Sequence, residues 1–221
     1  FYNFIPSIFI LFLKIIFMSF QSDNQFPQRE LFGGAVTSNI FSNFEDLSNF
    51  RPVPDHQEVY VDKSSKTSLT IELLDRQEID DSNAAEYFFQ DLVEYNQARQ
   101  SEIYYSKVLN TQEVVPSMNP NISRCLLIGR QVVEKDHTVD DVLIYLLAIR
   151  LQERPVDILI TLNSATSSSA ISQVSSTIQE NSLSLFRANS LREGVPLNHV
   201  ETIFNIAINS FDLKDYSLFG S

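Results

Sequence analysis

The sequence predicts an α+β fold: a single domain in which one central antiparallel sheet of about six strands is flanked by helices, an α/β/α sandwich. Three observations predict it. Runs rich in β-branched and aromatic residues recur from Ala35 to Leu162 with turn residues between them, the mark of strands in an antiparallel sheet. Two other stretches, 84–96 and 197–211, carry apolar residues at helical spacing. The 221 residues are 43% hydrophobic with 17 Phe, enough to bury one sizeable core and to favour one domain.

Taken in order, residues 1–17, FYNFIPSIFILFLKIIF, are apolar but shorter than the roughly 20 residues of a membrane span, and Pro6 and Lys14 interrupt them. We expect them to be upstream sequence, with the native start at Met18 and no membrane insertion; without Lys14 the net charge moves from −12 to −13 (−12 − 1). Residues 18–28 read as a flexible leader, which makes 1–28 one unit and 29–221 the folded domain, beginning near Glu30. Gly33 and Gly34 let the backbone turn, since glycine alone takes positive φ freely; no Lys-Ser or Lys-Thr follows to make the pair a phosphate loop. A short strand AVTSNIF follows, then one helical turn over Phe44–Asn49 with Asp46 exposed. In Arg51–Asp62, RPVPDHQEVYVD, Pro52 and Pro54 hold the entry stiff and non-helical, and Val59 and Val61 alternate with Tyr60 and Asp62 as a strand. Asp55 and Glu58 are expected to be solvated at the entrance to that strand, where the simplest role for them is to cap a turn.

Thr67–Leu74 pairs with VYVD through the polar DKSSK turn. Ser82 or Asn83 caps a helix whose inner face is Ala85, Phe88, Phe89 and Leu92, with Glu86, Asp91 and Glu94 outward. Residues 101–109 and Cys125–Val133 read as strands, with a Pro-containing loop at 114–121. Asp141–Leu151 is a continuous apolar run that fits a buried strand or a short helix; Arg154-Pro155 ends it, and VDILITL follows as a strand. The Ser-rich stretch from Asn163 to Ser190 reads as a surface excursion. Pro196 opens a last helix with Leu197, Val200, Ile203, Phe204, Ala207, Ile208 and Phe211 on one stripe.

The chemistry available points to binding rather than catalysis. A net charge of −12 opposes nucleic acid, whose phosphates require clustered Lys and Arg, and favours a partner with a basic patch. Cys125, the single cysteine, lies in RCLLIG, where a buried structural thiol is expected. His56, His137 and His199 lack the spacing of a metal site. Asp55 and Glu58 could serve as an acid–base pair only in a partly dry pocket, which a polar turn does not offer. No serine sits in a nucleophile elbow. We therefore expect no catalytic residue, no cofactor and no metal, and a surface cluster of Asp46, Asp55 and Glu58 that steers and pairs with a cationic partner.

The order ELFGGA, an acidic link, RPVPDHQEV and IELLD resembles the Ran guanine nucleotide release factor family. The resemblance is clearest over Glu30–Glu78, weaker over 87–94 and 140–163, and returns in SLFG near the end. It implies a PsbP-like fold with Asp141–Leu151 as a central strand, and a monomer of nucleus and cytoplasm that binds the small GTPase Ran and loosens its nucleotide in support of nuclear import. Asp46, Asp55 and Glu58 carry over as partner-binding residues, with Arg51 organising the segment. His56 stands where the family varies, and the Ser-rich excursion departs from its pattern. Some members act as trafficking adaptors for a voltage-gated sodium channel, the alternative reading that the resemblance leaves open.

Overall fold

Alternation and aromatic content give the chain a sheet more extensive than expected. The computed structural model describes residues 25–62, 64–109, 122–135, 138–151, 154–166 and 199–219. Its main sheet has seven strands in the order β3-β4-β5-β9-β8-β7-β6: β3 (Phe44–Asp46), β4 (Gln57–Asp62), β5 (Thr67–Asp75), β6 (Gln100–Val108), β7 (Ser123–Lys135), β8 (Thr138–Leu151) and β9 (Val156–Thr166). Every neighbouring pair is antiparallel.

Two expectations about this sheet are corrected. Phe44–Asn49 is not one helical turn: Phe44–Asp46 pair with Tyr60–Asp62, and only Leu47–Asn49 coil into a 3-10 turn. Pairing carries the Phe44 ring into the core, which a helical turn on the surface would leave in water. The AVTSNIF run does not join the main sheet either. Its strand β2 (Val36–Asn39) lies between β1 (Gln28–Leu31) and β10 (Asp212–Leu213) in a second, three-stranded sheet. That sheet is fixed by the last helix, to which Ser38 Oγ donates at the Ala207 carbonyl (3.0 Å) and whose Ser210 Oγ accepts the Asn39 N–H (2.7 Å).

The ambiguous apolar run is a strand. Every residue of β8 from Leu143 to Leu151 is buried, because the strand sits inside the sheet with a helix against each face, and so loses the alternation that one-sided burial imposes. On one face α1 (Ala84–Tyr95) lays Ala85, Phe88 and Phe89 over Leu127, Ile144, Leu146 and Leu159. Gly129 makes this possible: a Cβ there would come within 2.7 Å of the Phe89 ring. On the other face α2 (His199–Ser210) sets Ile203, Phe204 and Ile208 over Leu126, Ile128 and Leu147, with the Phe204 and Tyr145 rings 5.6 Å apart. The helix stripes are thus the ones expected, while Pro196, Leu197, the 114–121 loop, His137, residues 1–24 and the Ser-rich stretch beyond Thr166 fall outside the described residues.

The start of α1 differs in detail. Neither Ser82 nor Asn83 caps it; Asp80 accepts the Ser82 N–H (2.8 Å) and heads a 3-10 turn, Asp81–Asn83, that runs into the helix. The turn is held by a buried ionic network. Arg150, fully buried on β8, donates Nε to the equally buried Asp157 (2.9 Å), Nη1 to the Ile79 carbonyl (2.8 Å) and Nη2 to the Gln77 carbonyl, and approaches Asp81 at 3.1 Å. Asp157 in turn accepts the Gln77 N–H (3.0 Å). Cys125 completes this region: its thiol donates to the Asp81 carbonyl, and burial pushes its pKa up, as suits a structural thiol.

Candidate functional site

The period of two along β4 decides where its carboxylates go. Tyr60 faces the core beside Leu69, so Glu58 and Asp62, two residues to either side, share that face while Val59 and Val61 share the other. Glu58 is therefore half-buried rather than solvated, opposite the fully buried Ile71, which corrects the expectation of an exposed carboxylate at the strand entrance. Its Oε1 accepts the Phe32 N–H at 2.6 Å. That amide is offered by the 3-10 turn Phe32–Gly34, where Phe32, Gly33 and Gly34 have φ of 50°, 66° and 94°. Three successive residues in the left-handed region explain the glycine pair, and the strain left at Phe32 costs on the order of 1 kcal/mol or more. The ELFGGA and RPVPDHQEV segments thus meet at one hydrogen bond.

Asp46 completes the acidic edge. It stands directly across from Tyr60 in the β3–β4 register, and its Oδ1 accepts the Ser48 N–H (2.8 Å) to cap the 3-10 turn Leu47–Asn49. The amides of Phe50 and Arg51 both return to the Leu47 carbonyl (3.0 and 3.1 Å), so this turn is closed twice. The Arg51 side chain is exposed; Asp55, also exposed, sits in the turn in which the Gln57 N–H bonds the Pro54 carbonyl (2.9 Å). Structure therefore brings Asp46 and Glu58 into mutual electrostatic reach and places Asp55 and Arg51 on the connection between them.

The electrostatics follow from this crowding. Burial raises the Glu58 pKa, and the negative charge of Asp46 raises it further against the opposite pull of the Phe32 N–H. Tyr60 is raised as well, by burial first and then by Glu58 and Asp46, against a smaller opposing effect of Arg29. Its phenol keeps its proton throughout the physiological range.

Beside these residues an open, polar cleft of about 630 Å³ runs between β1 and the β3 turn, with Arg29, Glu30, Glu45, Asp46, Asn49 and Tyr60 on its lining. Tyr60, Glu45, Glu30 and Arg29 were not singled out from the sequence. The signal for Tyr60 was present, since it shares parity with Glu58; the others lie on separate strands whose meeting is a tertiary event. Among the described residues there is no group of three or more His, Cys, Asp and Glu able to hold a metal ion, and no helix long and apolar enough to cross a membrane.

Residues 29–165 match the model of the family described as Ran-interacting Mog1 protein. The chain belongs to the Mog1 family. Among its relatives, the probable Ran guanine nucleotide release factor of Dictyostelium discoideum is 31% identical over 201 residues, covering 88% of this chain and 96% of that one. The Ran guanine nucleotide release factor of Homo sapiens is 32% identical over 62% of this chain and 76% of its own length. The nuclear import protein mog1 of Schizosaccharomyces pombe is 33% identical over 61% and 74%. In three dimensions the chain is similar to the Saccharomyces cerevisiae Ran-binding protein Mog1p, with a TM-score of 0.62 at 22% identity, covering 88% of this chain and all of that one. The resemblance to the Ran guanine nucleotide release factor family read from ELFGGA and RPVPDHQEV therefore holds, and the fold seen here is that of Mog1p.

Proposed function

We propose that this chain binds the small GTPase Ran and promotes release of its guanine nucleotide, in support of nuclear protein import. Membership of the Mog1 family supports the reading, as do the release-factor and import names of its relatives. The observation that carries it to particular residues is the Phe32–Glu58 hydrogen bond, which joins the two most distinctive segments of the chain at one acidic edge. Asp46 and Glu58 form the centre of the contact, Asp55 its exposed flank, and Arg51 orders the connection between them.

The action expected of this edge is electrostatic. Ran-like GTPases hold nucleotide phosphates with a lysine and Mg²⁺, and carboxylates presented nearby compete for either positive charge. By linkage, a protein that favours the nucleotide-free GTPase weakens nucleotide binding by the same factor by which nucleotide weakens its own binding. On this reading the chain works as a monomer in nucleus and cytoplasm, through binding rather than covalent chemistry, and uses no cofactor, nucleic acid or membrane insertion. The test is release of a fluorescent guanine nucleotide from Ran, with and without the protein, at two ionic strengths. Faster release that weakens as salt rises supports the proposal; a wild-type protein that neither binds Ran nor speeds release overturns it.

A further inference from the structure

Arg124 is a buried cation without a counter-ion among the described residues. It lies near the start of β7, where its carbonyl accepts the Leu109 N–H (2.8 Å) and Ile149 stands across from it on β8. Parity with Leu126 and Ile128 turns its side chain to the α2 face of the sheet, toward the apolar cluster that holds Leu109, Ile122 and Ile149. The residue is 1% exposed, and its Nε and Nη2 are buried with no hydrogen-bond partner among the described residues. A guanidinium keeps its charge inside a protein, and a buried charge is costly when no opposite charge offsets its lost hydration. Arg150, on the neighbouring strand and the opposite face, shows how this chain completes such a site: Asp157, two carbonyls and Asp81 surround it.

The two open donors form a pair. Nε–H and one N–H of Nη2 lie parallel on a single edge of the guanidinium, the fork that grips two oxygens of one carboxylate or phosphate. Charge separates those candidates: a monoanion neutralises one guanidinium in apolar surroundings, whereas a phosphate near its dianionic form would leave excess charge there. Tyr216 is the titratable group that acts on Arg124 among the described residues. It belongs to a 3-10 turn, Tyr216–Phe219, that contains no buried residue, although Leu218 and Phe219 pack on the same apolar cluster. That turn is a light cover, easily lifted, and the half-exposed phenol at its head opens to solvent.

We propose that Arg124 anchors a binding site for a small monocarboxylate, whose two oxygens take the Nε–H and Nη2–H fork while the Tyr216 hydroxyl donates a further bond and the Tyr216–Phe219 turn lifts to admit it. The site stands apart from the acidic edge, with β5, β9 and β8 between its strand and β4. It goes beyond the Ran reading and does not rest on it.

The experiment titrates the full chain with acetate, using chloride at equal ionic strength as the control, and follows thermal melting together with the Arg124 Nε–H resonance. Acetate should raise the melting temperature and move that resonance saturably, and chloride should do neither. Arg124→Lys keeps the charge but loses the parallel N–H pair, and should weaken acetate by about tenfold, the scale of one hydrogen bond to a charged group. Arg124→Met, which fills the site without charge, should lose the acetate response and be no less stable than wild type in acetate-free buffer. Tyr216→Phe should weaken acetate more mildly than Arg124→Lys does. An Nε–H resonance that stays put, equal responses to the two anions, or wild-type acetate affinity in Arg124→Lys would overturn the proposal. A destabilised Arg124→Met would do so too, by showing that the guanidinium is answered within the chain. Inorganic phosphate binding more tightly than acetate would overturn the assignment to a monocarboxylate.

Discussion

Arg150 and Glu58 are both charged residues drawn out of water by strand register, and the fold treats them oppositely. Around Arg150 the opposite charge of Asp157 and two carbonyls lie within hydrogen-bond distance, and Asp81 closes the set. Around Glu58 the charge that acts on it is another carboxylate, Asp46, and the counterweight is the Phe32 amide. The first arrangement is complete within the chain and holds the link between β5 and α1. The second leaves a surplus of negative charge at a half-buried edge. Satisfied polar groups serve the fold, and those kept short of partners mark where the molecule meets something else.

The largest way to break this comparison is at its satisfied end. Arg150→Met should cost about 3 to 5 kcal/mol, because it strands the buried Asp157 charge, and adding Asp157→Leu should recover part of the loss. Urea denaturation of the single and double variants checks both. A single variant that unfolds at the wild-type midpoint would show the network to be dispensable.

Packing gives an effect of similar size with no charge involved. Phe89 and Phe204, mid-stripe on α1 and α2, are 1% and 0% exposed, so Phe→Ala at either should cost roughly 3 to 5 kcal/mol. Thermal melting should show it, with the rate of nucleotide release per folded molecule unchanged. A release defect beyond the loss of folded protein would mean that the helices take part in the contact.

At the acidic edge the expected pattern reverses. Asp55 is exposed and makes no side-chain hydrogen bond among the described residues, so Asp55→Lys should alter stability by no more than about 0.5 kcal/mol. Association with Ran should nevertheless slow, most of all at low salt, because an attractive charge has become repulsive. Stopped-flow association at two ionic strengths separates these outcomes; a salt-independent rate equal to wild type would remove Asp55 from the contact.

Much of the fold was legible because its rules are local. Period two marked β4 and β5, β-rich runs marked β7 and β9, and helical spacing marked the inner faces of α1 and α2. The main sheet was misjudged where locality fails: β3 has three residues, too few to show a period, and β2 reads as a strand without revealing which sheet it joins. The acidic site was half legible. The residues Asp46, Asp55 and Glu58 stood out by type and context. The burial of Glu58 was implied by its parity with Tyr60, but its bond to Phe32 spans 26 residues and is a tertiary fact. Asp80 was overlooked as a cap because a 3-10 turn intervenes before the helix begins.

The central claim is that Glu58 is kept ionised at some cost to the fold so that it can act on a partner, and Glu58→Gln tests it most directly. Glutamine retains an oxygen for the Phe32 N–H but carries no charge. Because the folded pKa of Glu58 is raised above its ordinary 4.5, the wild type loses stability as pH rises from the ordinary value through the raised one, and the loss then stays constant. The variant should therefore match the wild type below pH 4.5 and be the more stable protein at neutral pH. Melting across that range, paired with nucleotide release from Ran at pH 7, gives the decisive comparison: a variant at least as stable as wild type that releases nucleotide several-fold more slowly is the predicted result, and one that is less stable at neutral pH yet equally active would contradict the account.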